Sequence, residues 1–493
     1  VGLKRLGEAL ANIENVITLR PDWIDARRYH CIVLEQSGRY NEALHSYDHV
    51  VALTPNDVHA HHKRGHVLER LGRLVEALQC YERAVELAPD FADAHNRHIR
   101  VLNKLGRHDE ALVHARGAQK LSPHPKFFYL EGLCLYELGR YEDAYTAGKH
   151  IDPVFHGKDL DHHEFMSFIC GKTNRREEGQ LHGGIALRLK DASVQGNKYY
   201  AIPTHPPADP QSGRKVISYT LYGAQPRYCE VAIANCNAAA ALLPDWSCRF
   251  YVDASVPADV LRRLRAKGAE VIMVDDTTKA TIHPLMWRFL VADDPEVSRF
   301  LLRDADSLIG QRETAAVHAW LESDRWFHLM RDWPGHCELM LAGMWGGCTG
   351  VIPSMRAEII DFLQHDGVGK SRLDIDQYFL RQRLWPTVRQ SVLSHDSQFS
   401  FPGNQAFPPV RDAIIDDVAY IGTNLSPGTI RVTLDAPDGA LAEWSLLNQD
   451  GEVFCRYDIT IRGGGCVLYF PYFLKRKMDS GELRSRVELK SAK

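Results

Sequence analysis

The chain has 493 residues, 45% of them hydrophobic and 25% charged, with a formal net charge of −4. A chain of that length holds more than one hydrophobic core, and its near-neutral balance excludes general attraction to nucleic acid or to an anionic membrane surface. Apolar runs such as 238–243 fall far short of a membrane span and no charged-then-apolar leader opens the chain, so a cytoplasmic protein without a transmembrane segment is expected. The 11 cysteines occur singly, with no C-x-x-C pair, which points to reduced, buried thiols; Cys455 and Cys466 are a pair that a hairpin could join.

From the first residues onward the text repeats. Prolines fall at 21, 55, 89 and 123, glycines at 38, 72 and 106, and alanines at 9, 43, 77 and 111, all with a period of 34. GRYNEAL, GRLVEAL and GRHDEAL start at Gly38, Gly72 and Gly106, and GRYEDAY at Gly139 follows with a shift of one residue. This pattern resembles the tetratricopeptide repeat, which implies paired antiparallel helices stacked into a solenoid over residues 1–153, the last unit covering about Pro125 to Asp152. Val1 falls in mid-frame, which leaves open whether native residues precede it. Carried onto this frame, the family's inward positions are Arg28, His59, His62, His66, Asn96, Arg97, Arg100 and Asn103. The resemblance therefore implies a polar, partly basic groove for an acidic peptide, a terminal carboxylate or a protein acceptor, with a solvated helix face as the alternative. His59, His62 and His66 share one helical face, but no carboxylate or cysteine completes a metal set, so a groove-lining or structural role is expected.

Residues 154–214 read as irregular helix followed by a proline-rich linker, AIPTHPPADPQSGRK from Ala201. From Lys215 short apolar runs alternate with helical segments. KVISYTLYG, CRFYVDAS, AEVIMVDD and RFLLRDADS read as buried strands, which predicts an α + α/β chain: a helical solenoid followed by a mixed, mainly parallel sheet domain over 215–410. Three of those strands end in acid, at Asp253, at Asp275 with Asp276, and at Asp304 with Asp306, where open α/β sheets bind ligands. The first strand is followed by GAQPRY rather than a glycine-rich phosphate turn, and there is no Walker lysine. A diphosphate would then be met by basic side chains and by a hard cation, Mn²⁺ or Mg²⁺, on the D-x-D acids. Arg288 and Arg303 are the candidates to meet it, a solvated helix residue being the other reading of Arg288.

In the order of TLYG, RDADS, AGMWGGCTG, DIDQYFL and VLSHDS, the segment from Lys215 to Phe401 resembles GT-A-type glycosyltransferases of the glycogenin-like and related bacterial families. The resemblance implies Asp304, Asp306 and His395 as metal ligands, and Tyr222, Gly223 and Asp253, together with Arg288 and Asp304, on the donor; ordinary core packing is the other reading of Tyr222. Asp376, followed by Gln377, is the first candidate for the acidic group near the anomeric carbon, with Asp374 competing; His336 and Glu338 would line the acceptor side. The glycines from Gly343 to Gly347 would permit close approach of backbone to a sugar or make a tight turn. The expected function is metal-dependent transfer of a sugar from a nucleoside-diphosphate donor, UDP-linked, with the repeat array recruiting a protein or peptide. The alternatives are a non-catalytic repeat scaffold carrying an inactive transferase fold and a metal-dependent nucleotidyltransferase. Residues 411–493 read as a β-rich appendage with no chemical signature, fit to bind carbohydrate or to cap the sheet.

Overall fold

The computed structural model describes residues 2–121, 125–151, 160–206, 213–367, 374–410, 421 and 428–490. Pro123, the linker residues 207–212 and most of the start of the expected appendage lie outside the described residues. The chain divides into two compact units, Val1–Gly179 and Gln180–Lys493.

The first unit is helical: α1 (Gly2–Leu19), α2 (Ile24–Gln36), α3 (Tyr40–Leu53), α4 (Val58–Arg70), α5 (Leu74–Leu87), α6 (Ala92–Lys104), α7 (His108–Leu121), α8 (Pro125–Glu137), α9 (Tyr141–Lys149) and α10 (Leu160–Lys172). The sequence period has a conformational cause. Gly38, Gly72, Gly106 and Gly139 adopt φ of +72°, +76°, +73° and +72°, the left-handed turn that ends one helix so that the next can run back along it. Shortly after each of the first three glycines the chain needs a small side chain: Ala43, Ala77 and Ala111 are fully buried between paired helices. Gly65 meets the same need on α4, since a Cβ there would lie 2.8 Å from the Tyr81 ring. The core is a continuous stripe running from Leu10 through Tyr47, Tyr81 and Leu112 to Phe165 and Ile169.

In the second unit, α11 (Arg176–Ala192), whose start precedes the division, leads towards an eight-stranded sheet made by described residues. Its strands are β1 (Arg214–Leu221), β2 (Trp246–Val252), β3 (Glu270–Met273), β4 (Val297–Arg303), β5 (Phe327–Arg331), β6 (Met344–Cys348), β7 (Val392–Asp396) and β8 (Asn404–Gln405). The spatial order is β3-β2-β1-β4-β6-β5-β7-β8, and β6 alone runs antiparallel to its neighbours β4 and β5. The central strands are buried on both faces, as continuous apolar runs require, and β1 aligns Ile217 with Leu301 and Ser218 with Leu302 of β4. Crossovers are α12 (Pro226–Leu242) and α13 (Ala258–Ala266), then α14 (Asp276–Thr281) with the 3₁₀ helix Pro284–Asp293; α15 (Gln311–Leu321), α16 (Met355–Gln364) and α17 (Ile375–Phe379) follow later.

Beyond residue 428, β10 (Leu441–Leu447) pairs antiparallel with β11 (Val453–Thr460) and β13 (Arg484–Leu489), and β9 (Gly428–Thr433) pairs with β12 (Gly465–Phe470). This region covers α12 rather than standing apart: the Tyr457 hydroxyl donates to Glu230 at 2.6 Å, and Glu230 also takes both Nη groups of Arg263 at 2.7 Å. Each of the 11 cysteines is free, Cys455 and Cys466 included.

Candidate functional site

The carboxyl ends of β1 and β4 carry a cluster of charged side chains. Asp304 follows the last residue of β4, and its carboxylate accepts from Nη1 of Arg288, which rises from the 3₁₀ helix Pro284–Asp293. That helix is stitched to β1: the Arg288 backbone N–H donates to Thr220 Oγ1 at 3.0 Å, and Ser218 Oγ donates to the Arg288 carbonyl at 2.8 Å. Arg288 is only 4% exposed, and its second nitrogen donates to Asp376 at 3.1 Å. One buried guanidinium thus joins residues that lie far apart in sequence. Arg303 turns the other way, into the core, where it pairs with Glu313; the strand's alternation removes it from the expected diphosphate site.

Asp306 accepts from Arg227 at 2.7 Å. Arg227 sits in the first turn of α12, where the helix dipole disfavours a cation unless an acid is close. That conflict is a signal already present in GAQPRY, and a reading confined to strand ends passes it by. Burial and the charge of Asp304 push the Asp306 carboxyl up to about 6, against the pull of Arg227. Asp376 is likewise raised to about 6, by burial and, more weakly, by Asp304, with Arg288 opposing. Its carboxylate also accepts the Gln377 backbone N–H at 2.9 Å, so the group expected at the anomeric carbon is committed to holding Arg288, and Asp304, with a side chain 49% exposed, is the acid that faces solvent. Asp374 precedes α17 and makes no capping bond.

The loop between β5 and β6 closes the cluster. Turned so that its oxygen and nitrogen match their neighbours, the Gln377 amide donates to the Met340 carbonyl at 2.8 Å and accepts from the Ala342 N–H at 3.2 Å. Gly343 then lies against Asp304, where a Cβ would stand 2.9 Å from the Asp304 backbone nitrogen and closer still to its carboxylate. Gly346 and Gly347 serve neither a sugar nor a turn. Their missing Cβ atoms admit the Phe300 carbonyl and the Phe327 ring, each 2.6 Å from where a Cβ would be, so β6 fits between its neighbours. His336 stands at this loop with its ring edge toward Trp333, and burial pushes it down to about 4 although Asp304 pulls upward. Glu338 accepts from the buried Lys190 of α11 at 2.5 Å, a residue outside the expected domain.

Tyr222 is 44% exposed, edge-on to Trp287 at 6.4 Å, so it presents a face rather than filling the core. The Gly223 N–H donates to Ser255 Oγ at 2.6 Å, and the Ser255 N–H donates to Asp253 at 3.0 Å, which ties the ends of β1 and β2 together. Asp275 accepts from the Thr278 N–H at 2.8 Å as the cap of α14 and leaves the crevice.

His395 is the clear correction. It lies on β7, separated from β4 by two strands, a span of about 14 Å at ordinary strand spacing. Its ring meets His328 at 2.9 Å in the core, and burial pushes it down to about 4. The donor set expected for Mn²⁺ or Mg²⁺ therefore does not assemble. Among the described residues no group of three or more His, Cys, Asp or Glu is placed to hold a metal ion, and Asp304 and Asp306 each already hold an arginine.

In the helical unit the expected basic groove is largely neutralised from within. Arg28 pairs with Asp57 at 2.6 Å and His66 with Glu35 at 2.6 Å, while Glu69 takes Arg97 at 3.3 Å and Lys104 at 2.5 Å. Glu35 and Glu69 occupy equivalent places in successive repeats, each also accepting a tyrosine hydroxyl, Tyr47 and Tyr81, at 3.3 and 3.2 Å. His59 and His62 pack edge-on against Phe91; Asn96 is buried, Asn103 donates to Cys134 Sγ at 3.3 Å, and Arg100 is exposed. Arg28, Asn56, His59 and Phe91 line a depression of about 750 Å³.

Profiles of the tetratricopeptide repeat match residues 58–91 and 96–149, and a TPR repeat profile matches 33–72. The amino-terminal region is a tetratricopeptide-repeat array, a fold consistent with a peptide or protein partner. No curated protein matches the chain. Among solved structures, MamA residues 41 to the end from Desulfovibrio magneticus RS-1 is similar at 19% identity and a TM-score of 0.31, over 34% of this chain and 96% of that one. YrrB, described as a TPR protein with an unusual peptide-binding site, is similar at 18% identity and a TM-score of 0.30, over 36% and 91%. A tetratricopeptide repeat protein from Parabacteroides merdae is similar at 16% identity and 0.30, over 38% and 73%. Among the described residues no helix is long and apolar enough to cross a membrane.

Proposed function

We propose that the second unit is a glycosyltransferase acting on a nucleoside-diphosphate sugar, and that the repeat array recruits its protein or peptide acceptor. The observation that carries this reading is the convergence of Asp304, Asp306, Asp376, Arg288, Arg227 and Tyr222 at the carboxyl ends of β1 and β4, the rim where open α/β sheets bind ligands. In the reaction the acceptor oxygen bonds to the anomeric carbon as the bond from that carbon to the diphosphate breaks. The nucleoside diphosphate leaves with the electron pair, and the acceptor's proton passes to a carboxylate of the cluster. Arg288 holds two acids in fixed relation, so that little reorganisation is needed when charge develops.

A screen of nucleoside-diphosphate sugars by thermal shift tests the proposal. One donor should raise the melting temperature by a few degrees, as a ligand at about 100 times its Kd adds about 2.7 kcal/mol. Asp304→Asn should lose turnover while its amide oxygen still accepts from Arg288, so the chain folds, at a cost in stability because the charge opposite a buried guanidinium is gone. The scaffold reading is favoured by one observation, that the family profiles fall wholly within the helical unit. Failure of every donor together with binding of a peptide would select it.

A further inference from the structure

We propose that the donor's diphosphate is met by the guanidinium of Arg227 rather than by a divalent cation, Asp306 serving to aim that guanidinium. This rests on the transferase reading above. A cation shared by Asp304 and Asp306 would have either the one oxygen that each leaves free of its arginine, Oδ2 of Asp304 and Oδ1 of Asp306, or both oxygens of carboxylates turned away from those arginines. Arg288 cannot follow: it is buried, and its remaining bonds to Asp376 at 3.1 Å and to the Arg303 carbonyl at 3.1 Å hold it in place, so removing Asp304 would strip one acid from a desolvated cation. The histidine that would complete a ligand set is bonded to His328 inside the sheet.

Arg227 has what the task requires. Its side chain is 22% exposed where Arg288 is 4%, one of its nitrogens is fixed by Asp306 at 2.7 Å, and its Nε has no hydrogen-bond partner among the described residues. The guanidinium also lies 5.1 Å from the centre of the Tyr228 ring, which limits its swing. A fork held at one prong keeps donors for a phosphate oxygen, and arginine suits phosphate geometry better than a point charge does. Asp306 is then a positioning residue, and Asp304, against Gly343, remains for the hydroxyls of the donor.

Calorimetric titration of the full chain with UDP, GDP, ADP, CDP and dTDP, once in EDTA and once in Mn²⁺, tests this. One nucleoside diphosphate should bind with a Kd that agrees within about threefold between the two buffers. Arg227→Gln should weaken it about 10- to 100-fold, the loss of one charge-assisted contact, and Arg227→Lys should recover some of that. Binding that appears only with Mn²⁺ overturns the inference and leaves the transferase reading standing. Binding to no nucleoside diphosphate in either buffer removes both. The comparison of buffers uses the unaltered chain, so it stands even where Arg227→Gln fails to fold.

Discussion

His98 shows how a residue inside the repeat array makes stability depend on pH. It lies on α6, fully buried, 4.2 Å from the ring of His114 and 3.6 Å from Glu82, and neither of its ring nitrogens has a hydrogen bond among the described residues. Burial first, then the neighbouring His114, pushes it down to about 3, and burial pushes His62 on α4 down to about 4. Both are neutral in the folded unit, whereas the unfolded chain takes up protons near 6.5. The stability they contribute is therefore complete above that pH and is lost as pH falls towards 4. The urea midpoint of the helical transition should drop between pH 7 and pH 5, and His98→Gln should flatten that drop; an unchanged slope in the variant would locate the dependence elsewhere. The same scale explains what could be read in advance. Asp304 and Asp306 were legible as acids closing an apolar run, but that each holds an arginine, Arg288 and Arg227, was not. His395 misled because a histidine at a strand end looks the same whether it faces a ligand or, as here, another histidine across the sheet.

At the scale of elements, the repeat was legible because each unit demands the same backbone turn. Gly106 adopts φ +73° with nothing within 4 Å of where its Cβ would be, so Gly106→Ala would cost backbone strain alone, about 1–2 kcal/mol. Gly117 is the control of opposite sign. It lies inside α7 with equally open surroundings and no positive φ, so Gly117→Ala should stabilise by about 0.5–1 kcal/mol. Urea unfolding followed by circular dichroism reads both; equal shifts of one sign would mean that the turn does not need its glycine. Although β3, read as buried, lies at the sheet edge and is partly exposed, the first four strands were equally legible as apolar runs, three of them closed by acid. β6 was not. Its antiparallel direction shows only in the pairing with β4 and β5, between which Gly346 and Gly347 let it fit.

At the scale of the molecule, composition placed a boundary at the proline-rich stretch before Lys215, while the second compact unit begins at Gln180. The reason lies in bonds that composition does not show. Lys190 donates to the Cys337 carbonyl at 2.6 Å and to Glu338, Asp191 accepts from Trp385 Nε1 at 2.7 Å, and Asn197 donates to the Gln382 carbonyl at 2.9 Å. The Tyr200 N–H donates to Thr387 Oγ1 at 2.9 Å, and the Phe399 ring packs so closely on Gly183 that a Cβ would not fit. Residues 180–200 are thus a wall of the sheet unit, and they hold the loop that carries His336 and Gly343. A fragment of residues 173–493 should unfold in one cooperative step and match the whole chain in the nucleoside-diphosphate binding proposed above. A fragment of residues 215–493 loses Lys190 and leaves the largely buried Glu338 with Arg381, at 3.7 Å, as its one remaining ion-pair partner among the described residues, so it should melt several degrees lower and bind more weakly. Calorimetry and titration of the two fragments decide the matter: if the shorter one matches the longer in both, the sheet is complete without that segment, and Lys190 has no role in holding the site.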